Sequence, residues 1–143
     1  MTMIRITRKA EFSAAHFYHN DAFSAEENRR IFGKCNNPHG HGHNYVVEVT
    51  VAGEPDPETG MVLDLKELKD ILQREVLDRM DHKHLNYEVP ELAGKVPTCE
   101  NIAAAIWRLL EPKITHGRLD RVRLYETPDI FAECVADVAR ARA

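Results

Sequence analysis

The middle of the chain reads Cys35-Asn-Asn-Pro-His39-Gly-His41-Gly-His43-Asn-Tyr45-Val-Val47-Glu-Val49-Thr-Val51-Ala-Gly53. Apolar side chains occupy every second position after residue 43, which predicts a β-strand over about residues 43–53 with one buried face. His41 and His43 share the parity of that face, so their side chains lie about 6.6 Å apart at a rise of ~3.3 Å per residue. Two imidazoles at this spacing can bind one metal ion.

A second stretch directs another histidine towards an apolar face. Residues 3–17 alternate between apolar and polar positions, with one face formed by Ile4, Ile6, Ala10, Phe12, Ala14 and His16. This pattern predicts a half-buried strand, although Arg8 interrupts it and a bulge there would change the register. Three neutral imidazoles suit Zn²⁺, and three protein ligands leave a fourth position open, as in catalytic zinc sites. His16, His41 and His43 are therefore the predicted metal ligands.

The rest of the chain predicts helices and further strands. Capping signals precede three helices, over about residues 25–31, from Asp64 to Met80, and from Thr98 to near Pro112. Two more strands are expected over about residues 119–127 and 130–137, and the polar stretch 81–97 is typical of a loop. Strands joined as hairpins, rather than as alternating β-α units, favour an α+β fold. We expect an antiparallel four-stranded sheet covered by two helices.

Composition excludes several classes of protein. A chain of 143 residues is expected to form a single domain, residues 1–143. The formal net charge of −4 gives no electrostatic reason to bind nucleic acid. No apolar run approaches the ~20 residues that a membrane span needs, and the N-terminus has no signal-peptide pattern. Three cysteines at unrelated spacings do not form a disulfide framework, so we expect a cytoplasmic protein.

Cys35 allows two interpretations. As a fourth metal ligand it would close the site and indicate a structural zinc module without enzymatic activity. As a free thiol near a cation its pKa would fall, which suits a general base or nucleophile. A zinc hydrolase is a third possibility. Asp81-His82 can set the tautomer and basicity of an imidazole, and Glu126, at the end of an apolar strand face, can accept two N–H donors from a heterocycle.

The chain resembles the 6-pyruvoyl-tetrahydropterin synthase family, which includes the 6-carboxytetrahydropterin synthases of queuosine biosynthesis. Seven segments in the same order carry the resemblance: Phe12-Ser-Ala-Ala-His16, Phe32-Gly-Lys-Cys-Asn-Asn-Pro38, His41-Gly-His-Asn-Tyr45, Asp56-Pro-Glu-Thr-Gly-Met61, Asp81-His-Lys83, Thr98-Cys-Glu-Asn-Ile102 and Tyr125-Glu-Thr127. The resemblance implies the tunnelling fold, in which three subunits form a barrel. Two trimers then stack into a homo-hexamer with active sites at the subunit interfaces.

The resemblance also implies residue roles. The implied zinc ligands are His16, His41 and His43. The implied catalytic groups are Cys35, Asp81 and His82, and the implied substrate contacts are Glu126, Thr98 and Glu100. The implied substrate is 7,8-dihydroneopterin triphosphate, which loses triphosphate in an elimination. The redox change is internal to the substrate, so no nicotinamide or flavin is expected, and the sequence contains no glycine-rich dinucleotide motif.

One ambiguity concerns the spacing between Cys35 and the histidines. Pyruvoyl-forming members resemble Cys-x5-His-Gly-His, which matches Cys35 to His41 and His43. Carboxy-forming members resemble Cys-x3-His-Gly-His, which matches Cys35 to His39 and His41. The strand parity of His43 favours the longer spacing and the pyruvoyl product. A carboxy-forming or dual enzyme remains the alternative, with His39 as an extra imidazole near the thiol.

Overall fold

The computed structural model describes residues 2–137. Five strands form one sheet: β1 Ile4–His16, β2 His41–Gly53, β3 Lys83–His84, β4 Arg118–Thr127 and β5 Ile130–Val135. Their order is β3-β1-β2-β4-β5; the four long strands pair antiparallel, and β3 pairs parallel to β1. The α+β class is confirmed, but the predicted count of four strands is wrong by one. β3 has two residues, too few for alternation of side chains to reveal it.

The three predicted helices form close to their expected bounds, as α1 Ala25–Phe32, as α2 Leu65–Leu72 with α3 Asp78–Met80, and as α5 Cys99–Leu110. A further short helix, α4 Leu85–Glu88, was not predicted. A π-helical segment, Gln73–Leu77, joins α2 to α3, so the predicted helix from Asp64 to Met80 is continuous but locally widened. The stretch 81–97 is not a plain loop, because it contains β3, α4 and a 3₁₀ turn.

The capping residues act as their sequence positions predict. Ser24 Oγ accepts from the backbone N–H of Glu27, and the Glu27 carboxylate accepts from the N–H of Ser24, which completes a capping box. Thr98 Oγ accepts from the N–H of Asn101 at the start of α5. Each contact satisfies a backbone donor that the first helical turn leaves free.

The core lies between one face of the sheet and the helix layer. α2 packs against β1, and α5 packs against β4 and β5. Phe12 and Tyr45 stack across the β1–β2 pair with ring centroids 5.1 Å apart, and both are buried. Arg8 causes no bulge: it stays in register opposite Val49 and donates to the carbonyl oxygen of Leu65. The β1 and β2 faces that carry the predicted histidines therefore both face the core.

The opposite face of the sheet is polar. Lys9 forms an ion pair with Glu48 across β1 and β2, with Nζ and Oε2 3.3 Å apart, and Arg123 bonds to Glu133 across β4 and β5. β5 forms one edge of the sheet and exposes Ile130, Phe131 and Val135. None of the helices within residues 2–137 combines the length and apolar character that a membrane crossing requires.

Candidate active site

Strand register brings the three predicted metal ligands together. β1 and β2 pair so that His16 lies opposite His41, while Ala14 lies opposite His43. The side chains share the core face near the ends of the two strands. One ligand atom from each of the three histidines lies within 4.8 Å of the others. The sequence prediction of a three-histidine cluster on the apolar face is therefore matched by the geometry.

Hydrogen bonds from outside the cluster orient His16. Its side chain is fully buried, and its Nδ1 lies 2.9 Å from the carbonyl oxygen of Pro97. A carbonyl can only accept, so Nδ1 carries the proton and Nε2 presents a lone pair to the cluster. The Tyr45 hydroxyl lies 3.1 Å from the same Nδ1 and contacts the imidazole from the core side.

The cluster fits a metal ion that prefers nitrogen ligands. Within residues 2–137, Nε2 of His43 is buried and makes no hydrogen bond, although the Glu126 carboxylate lies 3.2 Å away. Nε2 of His16 lies 3.2 Å from Nε2 of His41. Burial, opposed by the hydrogen bond to Pro97 and joined by the neighbouring His41 and His43, lowers the pKa of His16 to about 4. Burial also lowers the pKa of His43. Imidazoles that stay neutral at pH 7 are ready to bind a cation.

Glu126 is directed into the cluster rather than into solvent. One carboxylate oxygen, Oε1, lies 3.4 Å from Nε2 of His16 and 3.2 Å from Nε2 of His43. The pairing of β4 with β5 shifts between Tyr125 and Thr127, so an irregularity falls at Glu126 itself. Glu126 has the same strand parity as the buried Val122 and Leu124, so alternation along β4 directs its carboxylate to the face that carries the histidines.

Cys35 is not one of the ligands of the cluster. It is a free thiol in a 3₁₀ turn, Gly33–Asn36, and it is not among the side chains whose ligand atoms converge. Its carbonyl oxygen accepts a hydrogen bond of 2.7 Å from the backbone N–H of Tyr18. Tyr18 follows His16 by two residues in the sequence. A closed site with Cys35 as fourth ligand is therefore not formed in the described part of the chain.

Asp81 and His82 form the predicted pair at a different place. Asp81 Oδ1 accepts from the backbone N–H of Ser13 at 2.9 Å and lies 3.0 Å from Nδ1 of His82. These contacts lower the pKa of Asp81, the bond from Ser13 most. The backbone of His82 has φ 61°, a left-handed conformation uncommon for residues other than glycine and frequent at functional sites. Across residues 2–137, no hydrogen bond or ion pair joins either residue to Cys35.

The remaining predicted residues lie around the same region. Thr98 uses its hydroxyl oxygen to cap α5, and Glu100 is exposed in the first turn of that helix. His39 is exposed and lies outside the cluster, so the longer cysteine spacing describes the geometry. Two clefts of about 610 and 560 Å³ adjoin His43; the larger also contacts Glu126, and the smaller contacts His82. Clefts of this size suit small ligands.

Sequence analysis missed three residues that shape the site. Pro97 and Tyr45 hold His16, and Gly40 allows a close approach, since a Cβ there would lie 3.1 Å from Nε2 of His84. Tyr45 had a signal in its strand parity, which matches that of His41 and His43. Pro97 acts through a backbone carbonyl, which no side-chain pattern reports.

Comparisons with known proteins identify the family. A family model described as 6-pyruvoyl tetrahydropterin synthase matches residues 5–137. The 6-pyruvoyl tetrahydrobiopterin synthase of Homo sapiens is 47% identical over 123 residues, covering 86% of this chain and 85% of the human protein. The 6-carboxy-5,6,7,8-tetrahydropterin synthase of Rickettsia felis is 30% identical over 150 residues, covering 92% of this chain and 99% of that protein.

A solved structure extends the agreement to three dimensions. The 6-pyruvoyl tetrahydropterin synthase of Caenorhabditis elegans superposes with a TM-score of 0.91 at 39% sequence identity, covering 96% of this chain and 98% of that chain. Sequence, fold and the convergence of three histidines thus point to one group of enzymes. The chain belongs to the 6-pyruvoyl tetrahydropterin synthase family.

Proposed function

We propose that this protein is a zinc-dependent lyase that converts 7,8-dihydroneopterin triphosphate into 6-pyruvoyl-tetrahydropterin with elimination of triphosphate. The observation that carries the proposal is the convergence of His16, His41 and His43 on the core face, with their ligand atoms within 4.8 Å. The product assignment is supported by identity, which is 47% to the human pyruvoyl-forming relative and 30% to the carboxy-forming relative of Rickettsia felis.

The three histidines would hold Zn²⁺, which when bound supplies Lewis-acid polarisation of the oxygens on the substrate side chain. Cys35, as a thiolate, removes a proton from a side-chain carbon, and Asp81 with His82 transfers protons between side chain and ring. Triphosphate leaves as the electrons of the broken C–H bond form the new double bond. The redox change stays within the substrate, so the residues require no external hydride donor.

Glu126 would bind the pterin ring. The Glu126 side chain is only 15% exposed. A carboxylate in such a position can accept two N–H donors. The larger cleft, about 610 Å³, opens directly onto this residue and His43. Thr98 and Glu100, at the start of α5, would help to position the ring, since Glu100 lies close enough to Cys99 and Tyr18 to raise the pKa of both.

The proposed assembly is a homo-hexamer, a dimer of trimers with sites at subunit interfaces. Two observations support it. Within residues 2–137 no hydrogen bond or ion pair joins the Asp81-His82 pair to Cys35, which favours a site in which a neighbouring subunit supplies one of these groups. The edge strand β5 also exposes Ile130 and Val135, and unpaired edges with apolar side chains favour pairing with another chain. A cytoplasmic location is supported by the free thiols of all three cysteines.

The decisive experiment incubates the purified zinc-loaded protein with 7,8-dihydroneopterin triphosphate and identifies products by mass spectrometry. We expect a 6-pyruvoyl product and one triphosphate per substrate. Zinc-stripped protein is the control and should regain activity when zinc is restored. Absence of turnover, together with protection of Cys35 from alkylation, would instead support a structural zinc module. Hydrolysis of the phosphate chain without elimination would indicate a zinc hydrolase.

A second product is favoured by one specific observation. A relative named 6-carboxy-5,6,7,8-tetrahydropterin synthase spans nearly the whole chain, and His39 supplies an additional imidazole four residues from Cys35. A 6-carboxy product with release of acetaldehyde would assign the enzyme to queuosine and deazapurine biosynthesis. His39→Asn is the matched test, because only carbon–carbon cleavage would depend on that imidazole.

A further inference from the structure

Lys83 is a basic side chain beside the metal cluster, and none of the roles assigned above uses it. It lines the smaller of the two clefts, about 560 Å³, together with His43 and His82. Lys83 is half-buried, whereas every other lysine of the chain is exposed. It forms no ion pair with any residue between 2 and 137. An ammonium group in a cleft without an anionic partner is suited to bind an anionic ligand.

The register of the sheet places Lys83 in one row with the metal cluster. Ala14 of β1 lies opposite His43 of β2 and also opposite Lys83 of β3. Residues in register on neighbouring strands direct their side chains to the same face of the sheet. Two strand spacings separate the backbones of His43 and Lys83, about 10 Å in all. The long lysine side chain can therefore reach a group that extends from a ligand bound at the cluster.

Glu126 lies on the other side of the metal cluster from Lys83. In the sheet order, β4 follows β2 on one side, and β3 follows β1 on the other. The larger cleft contacts Glu126, the smaller contacts Lys83, and His43 lines both. The order across the sheet is thus a carboxylate, the imidazoles and an ammonium group. The proposed substrate has a matching order: a ring with N–H donors, a short side chain with oxygens, and a triphosphate.

The charges of the two clefts distinguish the two ends of the substrate. The larger cleft is lined by three carboxylates and one lysine: Glu11, Glu48, Glu126 and Lys9. That lysine forms an ion pair with Glu48 at 3.3 Å, so the excess of negative charge disfavours a polyanion there.

The smaller cleft has a different balance of charge. Its single carboxylate, Glu88, accepts from the backbone N–H of His84 at 2.7 Å. Lys83 is the only lysine or arginine among the described residues that line this cleft. Of the two clefts, the smaller one therefore offers phosphate oxygens an ammonium group that has no ion-pair partner within residues 2–137.

We propose that Lys83 is a substrate-binding residue whose ammonium group contacts the triphosphate in the smaller cleft, while the pterin ring lies in the larger one. The inference rests on the proposed function and deepens it, because it assigns each end of the substrate to a cleft. Lys83 holds the phosphates and offsets the negative charge that triphosphate gains as its bond to carbon breaks. A purely structural role would be limited to the aliphatic stem, which can cover apolar surface while the ammonium stays in water.

The test measures binding of two ligands, 7,8-dihydroneopterin triphosphate and 7,8-dihydroneopterin, which lacks the phosphates. The parent is zinc-loaded Cys35→Ala protein, which cannot turn the substrate over, and pterin fluorescence reports both dissociation constants. Lys83→Met in this parent removes the charge and keeps an unbranched stem. We expect it to bind the triphosphate about 10- to 100-fold more weakly, as loss of a charged hydrogen bond predicts, and 7,8-dihydroneopterin equally well.

Two further variants serve as controls. Lys83→Arg keeps the positive charge and should retain most of the affinity for the triphosphate. Lys69→Met makes the same substitution at an exposed lysine of α2 that lines neither cleft, and it should leave both dissociation constants unchanged.

The inference fails in two cases. If Lys83→Met weakened binding of both ligands equally, the residue would support the ring pocket or the fold rather than the phosphates. If it weakened neither, or if the parent bound the triphosphate no more tightly than 7,8-dihydroneopterin, the phosphates would have no contact with Lys83. Failure of the Cys35→Ala parent to bind either ligand would reject the proposed function and this inference with it. The parent protein thus distinguishes the two failures.

Discussion

Two cysteine side chains of this protein differ sharply in their environment. Cys99 is buried at the start of α5 and donates its S–H to the carbonyl oxygen of Leu124 at 3.1 Å. Burial raises its pKa to about 11, so at pH 8 only about one molecule in a thousand carries the thiolate that reacts with alkylating agents. Cys35 is half-buried in the 3₁₀ turn Gly33–Asn36.

We therefore expect iodoacetamide at pH 8 to modify Cys35 at least about tenfold faster than Cys99. The rate at Cys99 should rise about tenfold per pH unit up to pH 11, because each unit below its pKa reduces the thiolate fraction tenfold. Peptide mass spectrometry of the zinc-loaded protein measures both rates. Equal rates at the two sites, or a flat pH profile at Cys99, would contradict this prediction.

Glu126 tests whether a carboxylate beside the histidines serves the metal or the substrate. Replacing it by glutamine removes the charge but keeps the shape, so Glu126→Gln should retain zinc and lose about 10- to 100-fold in kcat/KM. Zinc content by atomic absorption and steady-state kinetics measure the two effects. Glu11→Gln is the control, as Glu11 is exposed and lines the same cleft. Loss of zinc from Glu126→Gln would make this residue a metal ligand.

At the scale of elements, the turn before β2 determines whether the histidines can meet. Gly40 has φ +76°, and a Cβ on it would lie 3.1 Å from Nε2 of His84 and 3.2 Å from the carbonyl oxygen of His16. Gly60 has nearly the same backbone, φ +75°, but its Cβ would meet nothing within 4 Å. Alanine substitutions at Gly40 and Gly60 therefore separate the effect of backbone strain from that of crowding at the site.

Gly60→Ala should lower the free energy of unfolding by about 1–2 kcal/mol, the cost of a left-handed conformation at a residue with a Cβ. Gly40→Ala should cost at least as much and also weaken zinc binding by about tenfold or more, because displacing His16 disturbs a ligand. Urea titration and a competitive zinc chelator measure these quantities. If both variants bound zinc equally well, the close approach at Gly40 would have no role in the site.

At the scale of the whole molecule, the positions of Cys35 and of Asp81-His82 bear on the proposed site between subunits. Cys35 accepts a backbone hydrogen bond from Tyr18, and Asp81 accepts one from Ser13. No hydrogen bond or ion pair within residues 2–137 joins Cys35 to Asp81. Symmetric assembly can bring the Cys35 of one subunit to the Asp81 and His82 of another, since every interface repeats the same contacts.

Mixed oligomers test this arrangement. Cys35→Ser and Asp81→Asn should each be nearly inactive, but subunits refolded together in equal amounts should recover about a quarter of the wild-type activity, the fraction of interfaces with both wild-type groups. Two different affinity tags allow the mixed species to be purified before assay. A mixture of His41→Asn and Cys35→Ser is the control. These subunits also assemble at random, but one site takes both groups from the same subunit, so no activity should be recovered. If the first mixture stayed as inactive as its components, sites within one chain would be indicated.

The sequence by itself determined the strand pattern, the helix caps and the three histidines, because these are read from local periodicity and side-chain chemistry. His16, His41 and His43 could be chosen from parity alone, since alternation assigns each of them to the face that folding buries. The two-residue strand β3 and the π-helical segment could not be predicted in this way. Each is stabilised by a neighbouring element rather than by a periodic pattern of its own.

Only the tertiary structure decided how the side chains meet. The register that sets His16 opposite His41, the carbonyl of Pro97 that fixes its tautomer, and the approach of Glu126 to His16 join residues 25 to 110 positions apart. The approach of Tyr18 to Cys35 and the separation of Cys35 from Asp81 have the same origin. Such contacts depend on how strands pair and how loops return, and these follow from packing of the whole core rather than from any local stretch of sequence.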